Sequence, residues 1–139
     1  MSNLSDYIYS TLNGNAGVTA LVSDRIYPQA LPQTEIFPCI VFSQVSNVPT
    51  NTKSSATLGK SSLDLIRVQI TIMAQNTDGY SGESKTQEIG EAVRAALDYT
   101  SGVGIQLVTF QGAVEAYDSN SGQDGVFLLY QDYNFWKQL

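Results

Sequence analysis

Ile66-Arg67-Val68-Gln69-Ile70-Thr71-Ile72-Met73 is the stretch that decides the fold. Ile66, Val68, Ile70 and Ile72 alternate with Arg67, Gln69, Thr71 and Met73, the period of two expected of a strand with one face buried and the other partly polar. A single strand is not stable alone, so the flanking sequence has to supply partners. Upstream, residues 39–45 (CIVFSQV) are rich in β-branched and aromatic side chains and begin directly after Pro38, which marks a second strand. Downstream, residues 105–116 and 126–136 read as two more, joined by the polar turn YDSNSGQDG. Within the last of them Val126-Phe127-Leu128-Leu129-Tyr130 is apolar on both faces. Such a run suits the middle of a sheet, or a strand whose outer face meets another subunit.

Helical spacing appears in the other segments. Leu4, Ile8 and Leu12 recur every four residues beside Tyr7, and Asn13-Gly14 ends the pattern. Ala16, Val18, Ala20, Leu21 and Val22 predict a second short turn as far as Ser23-Asp24, followed by a brief extended piece at Arg25-Ile26-Tyr27-Pro28. Pro28, Pro32 and Pro38 hold residues 28–38 extended, since each fixes its own backbone and disfavours helix in the residue before it. After a turn at Asn76-Thr77-Asp78-Gly79, residues 81–99 place Ile89, Val93, Ala96 and Leu97 on one face of an amphipathic helix. Ser84 with Gln87 offers it a capping box, and Ser101-Gly102-Val103-Gly104 stops it. The order of elements predicts an α+β fold: a single antiparallel β-sheet packed against a long helix and a short N-terminal helix. No repeat or composition break divides residues 1–139, so one domain is expected. Residues 46–62 (SNVPTNTKSSATLGKSS) separate the first two strands and hold almost nothing that could pack a core. Unstructured loops beyond about 12–15 residues are uncommon in compact domains, so this segment is predicted to be a long β-hairpin arm.

Composition narrows the function. The chain has 139 residues, 42% hydrophobic and 14% charged, against about 25% charged in an ordinary soluble domain. Its polar surface is therefore mostly Ser, Thr, Asn and Gln, which suits faces that meet other proteins because charge is depleted at interface cores. Seven Lys and Arg against thirteen Asp and Glu give a net charge of −6, which opposes binding to a phosphate backbone. The basic residues Arg25, Lys53, Lys60, Arg67, Lys85, Arg94 and Lys137 form no run. The first twenty residues lack the pattern of a secretory leader, and nothing approaches the roughly 20 apolar residues of a membrane span, so the protein is expected to stay where it is made.

Reactive chemistry finds little support. The chain has no histidine, the commonest general base and transition-metal ligand. Its one cysteine, Cys39, cannot form an internal disulfide and sits in an apolar strand with no cation nearby in sequence, which predicts a buried small hydrophobe. Residues 118–125 (DSNSGQDG) begin like a calcium loop but carry Gln123 where the turn needs glycine and Leu129 where a bidentate glutamate belongs, so a hairpin turn is the better reading. Gly59-Lys60-Ser61 is only the tail of a phosphate loop, with Ser54 in place of the upstream glycine. Glu88 and Glu91 fall on the solvated face of the long helix. No catalytic residue, no cofactor site and no metal site is expected, and the chain is read as other than an enzyme.

Taken in order, Leu12, Leu21-Val22, Arg25-Ile26-Tyr27-Pro28, Leu31-Pro32, Phe37-Pro38-Cys39-Ile40-Val41, the strand over 68–74 and Ala92-Val93-Arg94-Ala95-Ala96-Leu97-Asp98 resemble the tail-completion or tail-terminator (head–tail joining) proteins of long-tailed bacteriophages and prophages. Order and spacing carry the likeness, with no single diagnostic motif. The resemblance implies a virion structural protein, assembled in the host cytoplasm, that forms a ring of copies of itself, typically six, at the head-proximal end of the tail. Such a ring docks on the tail tube protein, stops tube polymerisation and meets the head–tail connector or neck protein. Copies of a chain this acidic would let DNA pass through the lumen without specific binding, and no membrane is involved. In that setting residues 46–62 become a contact arm, with Val48, Pro49 and Leu58 as apolar anchors and Lys53 and Lys60 as charge partners. A head-side neck or adaptor ring is the nearest alternative. From another class, the chain reads as a small-ligand-binding regulatory domain with the long loop as its lid.

Overall fold

The fold grows outward from the alternating strand. A computed structural model describes residues 3–29, 36–50, 63–77, 79, 81–102, 104–119 and 125–138. Along the chain these form α1 (Asn3–Asn13), α2 (Ala16–Val22), β1 (Ile26–Pro28), β2 (Cys39–Thr50), β3 (Leu63–Ala74), α3 (Gly82–Leu97), β4 (Ile105–Asp118) and β5 (Val126–Gln138). One open sheet has the order β1-β2-β3-β5-β4. Its centre is β3, where Ile66, Val68, Ile70, Ile72 and Ala74 are buried and the intervening side chains are not.

All three helices lie on the face to which those side chains point. Ile8 and Leu12 of α1, Val18 and Val22 of α2, and Ile89, Val93 and Leu97 of α3 join them in one core, completed by Tyr133 and Phe135 from β5. Tyr7 meets the Phe135 ring edge-on at 6.3 Å between centroids. The fold class is α+β as expected, and β2, β3, β5 and β4 pair antiparallel in sequence. The expectation of a purely antiparallel sheet needs one correction. β1 runs parallel to β2, with Ile26 beside Ile40, and is held by Ile40 N donating to Arg25 O (3.0 Å) and Gln29 N donating to Phe42 O (2.7 Å). Three residues ending in a proline, which lacks a donor, carry no periodicity from which a pairing direction could be read.

The long helix also begins differently from the capping-box reading. Its N-cap is Ser81, whose hydroxyl accepts from Ser84 N at 3.1 Å. Gln87 instead reaches Glu115 on β4, donating from Nε2 at 2.6 Å. The reason lies in packing, because a Cβ on Gly82 would stand 2.5 Å from Phe127 Cδ2 and about 3 Å from the Ala74–Gln75 backbone. Only a glycine lets the helix start this close to the sheet, and the preceding residue becomes the cap. At the other end the Asp98 carboxylate accepts from Phe110 N at 3.0 Å, and Tyr99 N donates to Val108 O at 2.7 Å. These bonds turn the helix end into β4.

One polar chain crosses the core. Tyr133 Oη donates to Gln131 Oε1 at 3.0 Å, and Gln131 Nε2 donates to Gly90 O at 3.0 Å. Burial, with a smaller contribution from the Asp98 carboxylate and against the opposing pull of Arg94, pushes the Tyr133 phenol well above its ordinary value of 10.0.

Two measurements follow from this packing. Gly82→Ala, which in an ordinary helix would be favourable, is expected to cost roughly 1–3 kcal/mol by crowding, seen as a lower denaturation midpoint at unchanged slope. The Tyr133 phenol, raised in the folded chain, contributes stability that is complete below pH 10 and lost as pH climbs above it, because only the unfolded chain then ionises. Stability measured above pH 10 should thus fall more steeply in the native protein than in Tyr133→Phe.

Candidate interaction surface

Among the described residues, no set of three or more His, Cys, Asp or Glu side chains is placed to hold a metal ion. Cys39 is fully buried. Glu88 is exposed and paired with Lys85 at 3.1 Å, while Glu91 is also exposed. The calcium-like segment lies where β4 and β5 join, their ladder ending at Asp118 opposite Val126, with residues 120–124 outside the described residues. A pocket of about 270 Å³ between α1 and the sheet is floored by Leu4, Ile8, Phe42 and Val68 and rimmed by serine and glutamine side chains, with no ionisable group in its lining. No described helix is long and apolar enough to cross a membrane.

The surface is more informative than the interior. Of the eight large hydrophobics exposed among the described residues, five lie on β2 or β4: Val45, Val48, Leu107, Val114 and Tyr117. The helical layer packs most on β3 and β5, and the outer parts of β2 and β4 stay exposed. Along β4, Ala113 to Tyr117 are exposed without a break, so this stretch lacks the inward-outward alternation of a covered strand. On β2, Gln44 to Pro49 are exposed and extend past the short β1, which pairs only with Ile40 to Phe42. The sheet therefore has two free edges among the described residues, one on each side.

The sheet face away from the helices is sorted into bands. Val48, Leu65, Trp136 and Leu107 stand in one row across four strands, from one edge to the other. Above it comes a polar band in which Arg67 donates to Asp132 at 2.8 Å. The pair is half in water, so its worth is mainly to keep this band hydrated. Asp64, across from Lys137 on β3, is buried on the helix side with Oδ1 unpaired among the described residues.

Of the residues assigned to the arm from sequence, Val48 and Pro49 occupy the outer part of β2 and are exposed, opposite Leu65 and Asp64. Lys53, Leu58 and Lys60 lie outside the described residues. The β2–β3 ladder reaches Thr50 opposite Leu63, so the first five residues of the segment from 46 to 62 are strand. Sequence reasoning missed Val45, Leu107, Val114, Tyr117 and Trp136. For Val114 and Tyr117 the signal was present in AVEAYD, residues 113–118, a strand segment with neither the lysine nor the proline that usually protects an edge.

Comparison with known proteins adds two findings. The sequence model of a family described as Tail completion protein gp17 matches residues 6–135. No curated protein matches the chain. Among solved structures, a chain from "Virion of native gene transfer agent (GTA) particle" is similar with a TM-score of 0.65 over 95% of this chain and 92% of that one, at 14% identity. At that identity the likeness is one of fold.

Proposed function

The chain belongs to the family of tail completion proteins, structural proteins of phage tails, and on that footing we propose that it is a tail terminator: a ring of copies at the head-proximal end of the tail tube that stops tube growth and receives the head connector. The observation that carries this reading is the span of the family match, residues 6–135, which takes in all or most of every described strand and helix instead of a single motif. The surface agrees with it. A subunit that works by meeting other chains needs free sheet edges and apolar patches poor in charge, and exposed hydrophobics here concentrate on the outer strands. In this reading the chain acts as a structural protein, in keeping with its family.

In the ring, residues 46–62 serve as the contact arm. Val48 and Pro49 give it an exposed apolar base, and Leu58, Lys53 and Lys60 are its further contacts with a neighbouring subunit or the tube. DNA passes through the lumen without specific binding, since a chain of net charge −6 repels phosphate.

A variant lacking residues 48–60, checked for native helix and strand content by circular dichroism, is expected to give particles whose tails vary in length. Rings of normal size together with tails of uniform length in that variant would sink the arm assignment. Purified native protein should capture both tube protein and connector protein. Capture of connector protein alone would instead favour a neck ring on the head side.

A further inference from the structure

Resting on the ring reading above, we propose that successive copies join edge to edge, the outer part of β2 in one subunit adding as a strand to the outer part of β4 in the next. Three observations converge on these two segments. The first is availability. β4 is the last strand of the sheet, and β2 beyond Phe42 has no strand outside it among the described residues. Each therefore presents a row of backbone donors and acceptors with no described sheet partner, the usual template for adding another chain.

The second is chemistry. Residues 44–50 (QVSNVPT) carry no charge, and residues 111–117 (QGAVEAY) carry only Glu115, which Gln87 of the same chain already engages. A molecule with thirteen acidic residues has thus kept both edges nearly free of the like charge that would hold two copies apart. Apolar side chains stand there instead, with Val48 at 56% exposure and Val114 at 66%. Neither segment holds a lysine or arginine to deter pairing.

The third is geometry. Beyond the irregularity at Phe110/Gly112, β4 pairs with β5 without a shift from Ala113 to Asp118, so its outer edge is straight over six residues. The β2 edge has its own irregularity between Gln44 and Ser46 and is regular from Ser46 to Thr50, about 16 Å at the rise of a strand, interrupted at Pro49, which lacks a donor. That missing donor favours one register of the incoming strand over others. Because the two edges lie on opposite sides of one sheet, the contact is head-to-tail. Each subunit uses both edges, and a rotation that closes yields a ring with no edge left over.

Cysteine pairing tests this directly. Val45→Cys or Val48→Cys is co-expressed with Val114→Cys or Tyr117→Cys, and the assemblies are oxidised under mild conditions. At least one mixed pair is expected to give a disulfide-linked dimer, and no variant alone should do so. Dimers from a single variant, or none from any mixture in which rings form, would overturn the edge pairing. In parallel, the double variant Val114→Lys, Tyr117→Lys alters only exposed positions, so its circular dichroism should match the native protein while its rings are lost. Persistent rings in that variant also overturn the pairing. A native chain that remains monomeric in the presence of tube ends overturns the ring reading itself, which keeps the two failures apart.

Discussion

The whole arrangement depends on the burial of one face of β3. Ile66, Val68, Ile70, Ile72 and Ala74 form a line of apolar side chains, each contributing roughly 1.5–3 kcal/mol for the larger ones when removed from water. That line sets the place of everything else. The helices cover it, β2 and β5 pair along its two sides, and a register slip of one residue would turn all five side chains to the opposite face. The same constraint explains what stays uncovered, because the helices pack most on the middle of the sheet and leave the outer parts of β2 and β4 bare.

Much of this was legible because it depends on local periodicity. The alternation in β3, the fourfold spacing of Leu4, Ile8 and Leu12, and the face carrying Ile89, Val93 and Leu97 all point to the core they form. The antiparallel pairing of four of the five strands followed from the order of elements along the chain. What could not be read depends on pairs distant in sequence. The parallel seat of β1, the choice of Ser81 over Ser84 as cap, and the link from Tyr133 through Gln131 to Gly90 are each fixed by a partner tens of residues away. For Gly82 the deciding neighbour is Phe127, and no spacing rule connects them.

The surface was only half legible, for a related reason. Low charge and the two-sided apolar run in β5 pointed to protein partners, and the segment from 46 to 62 stood out by its lack of core residues. Exposure on β4 could not be read from its sequence, since Val114 and Tyr117 are the residue types that would equally well sit in a core. Val114, opposite Tyr130, stands on the sheet face away from the helices, and Tyr117, opposite Phe127, lies beyond the part of β4 where Arg94 of α3 stacks on the Phe110 ring at 4.2 Å. Family membership supplied the context in which such a surface has a use.

The antiparallel ladder between β3 and β5 runs unshifted from Leu63–Gln138 to Ala74–Phe127. In a tail under tension the direction of load on such a ladder matters. Force applied along the strands must break many of its hydrogen bonds together, whereas force at one end would open them one at a time. Asp98 ties the end of α3 to the backbone of β4, so a pull on the outer strand is shared with the helical layer. The same sheet that organises the core is thereby suited to carry mechanical stress from one side of the subunit to the other.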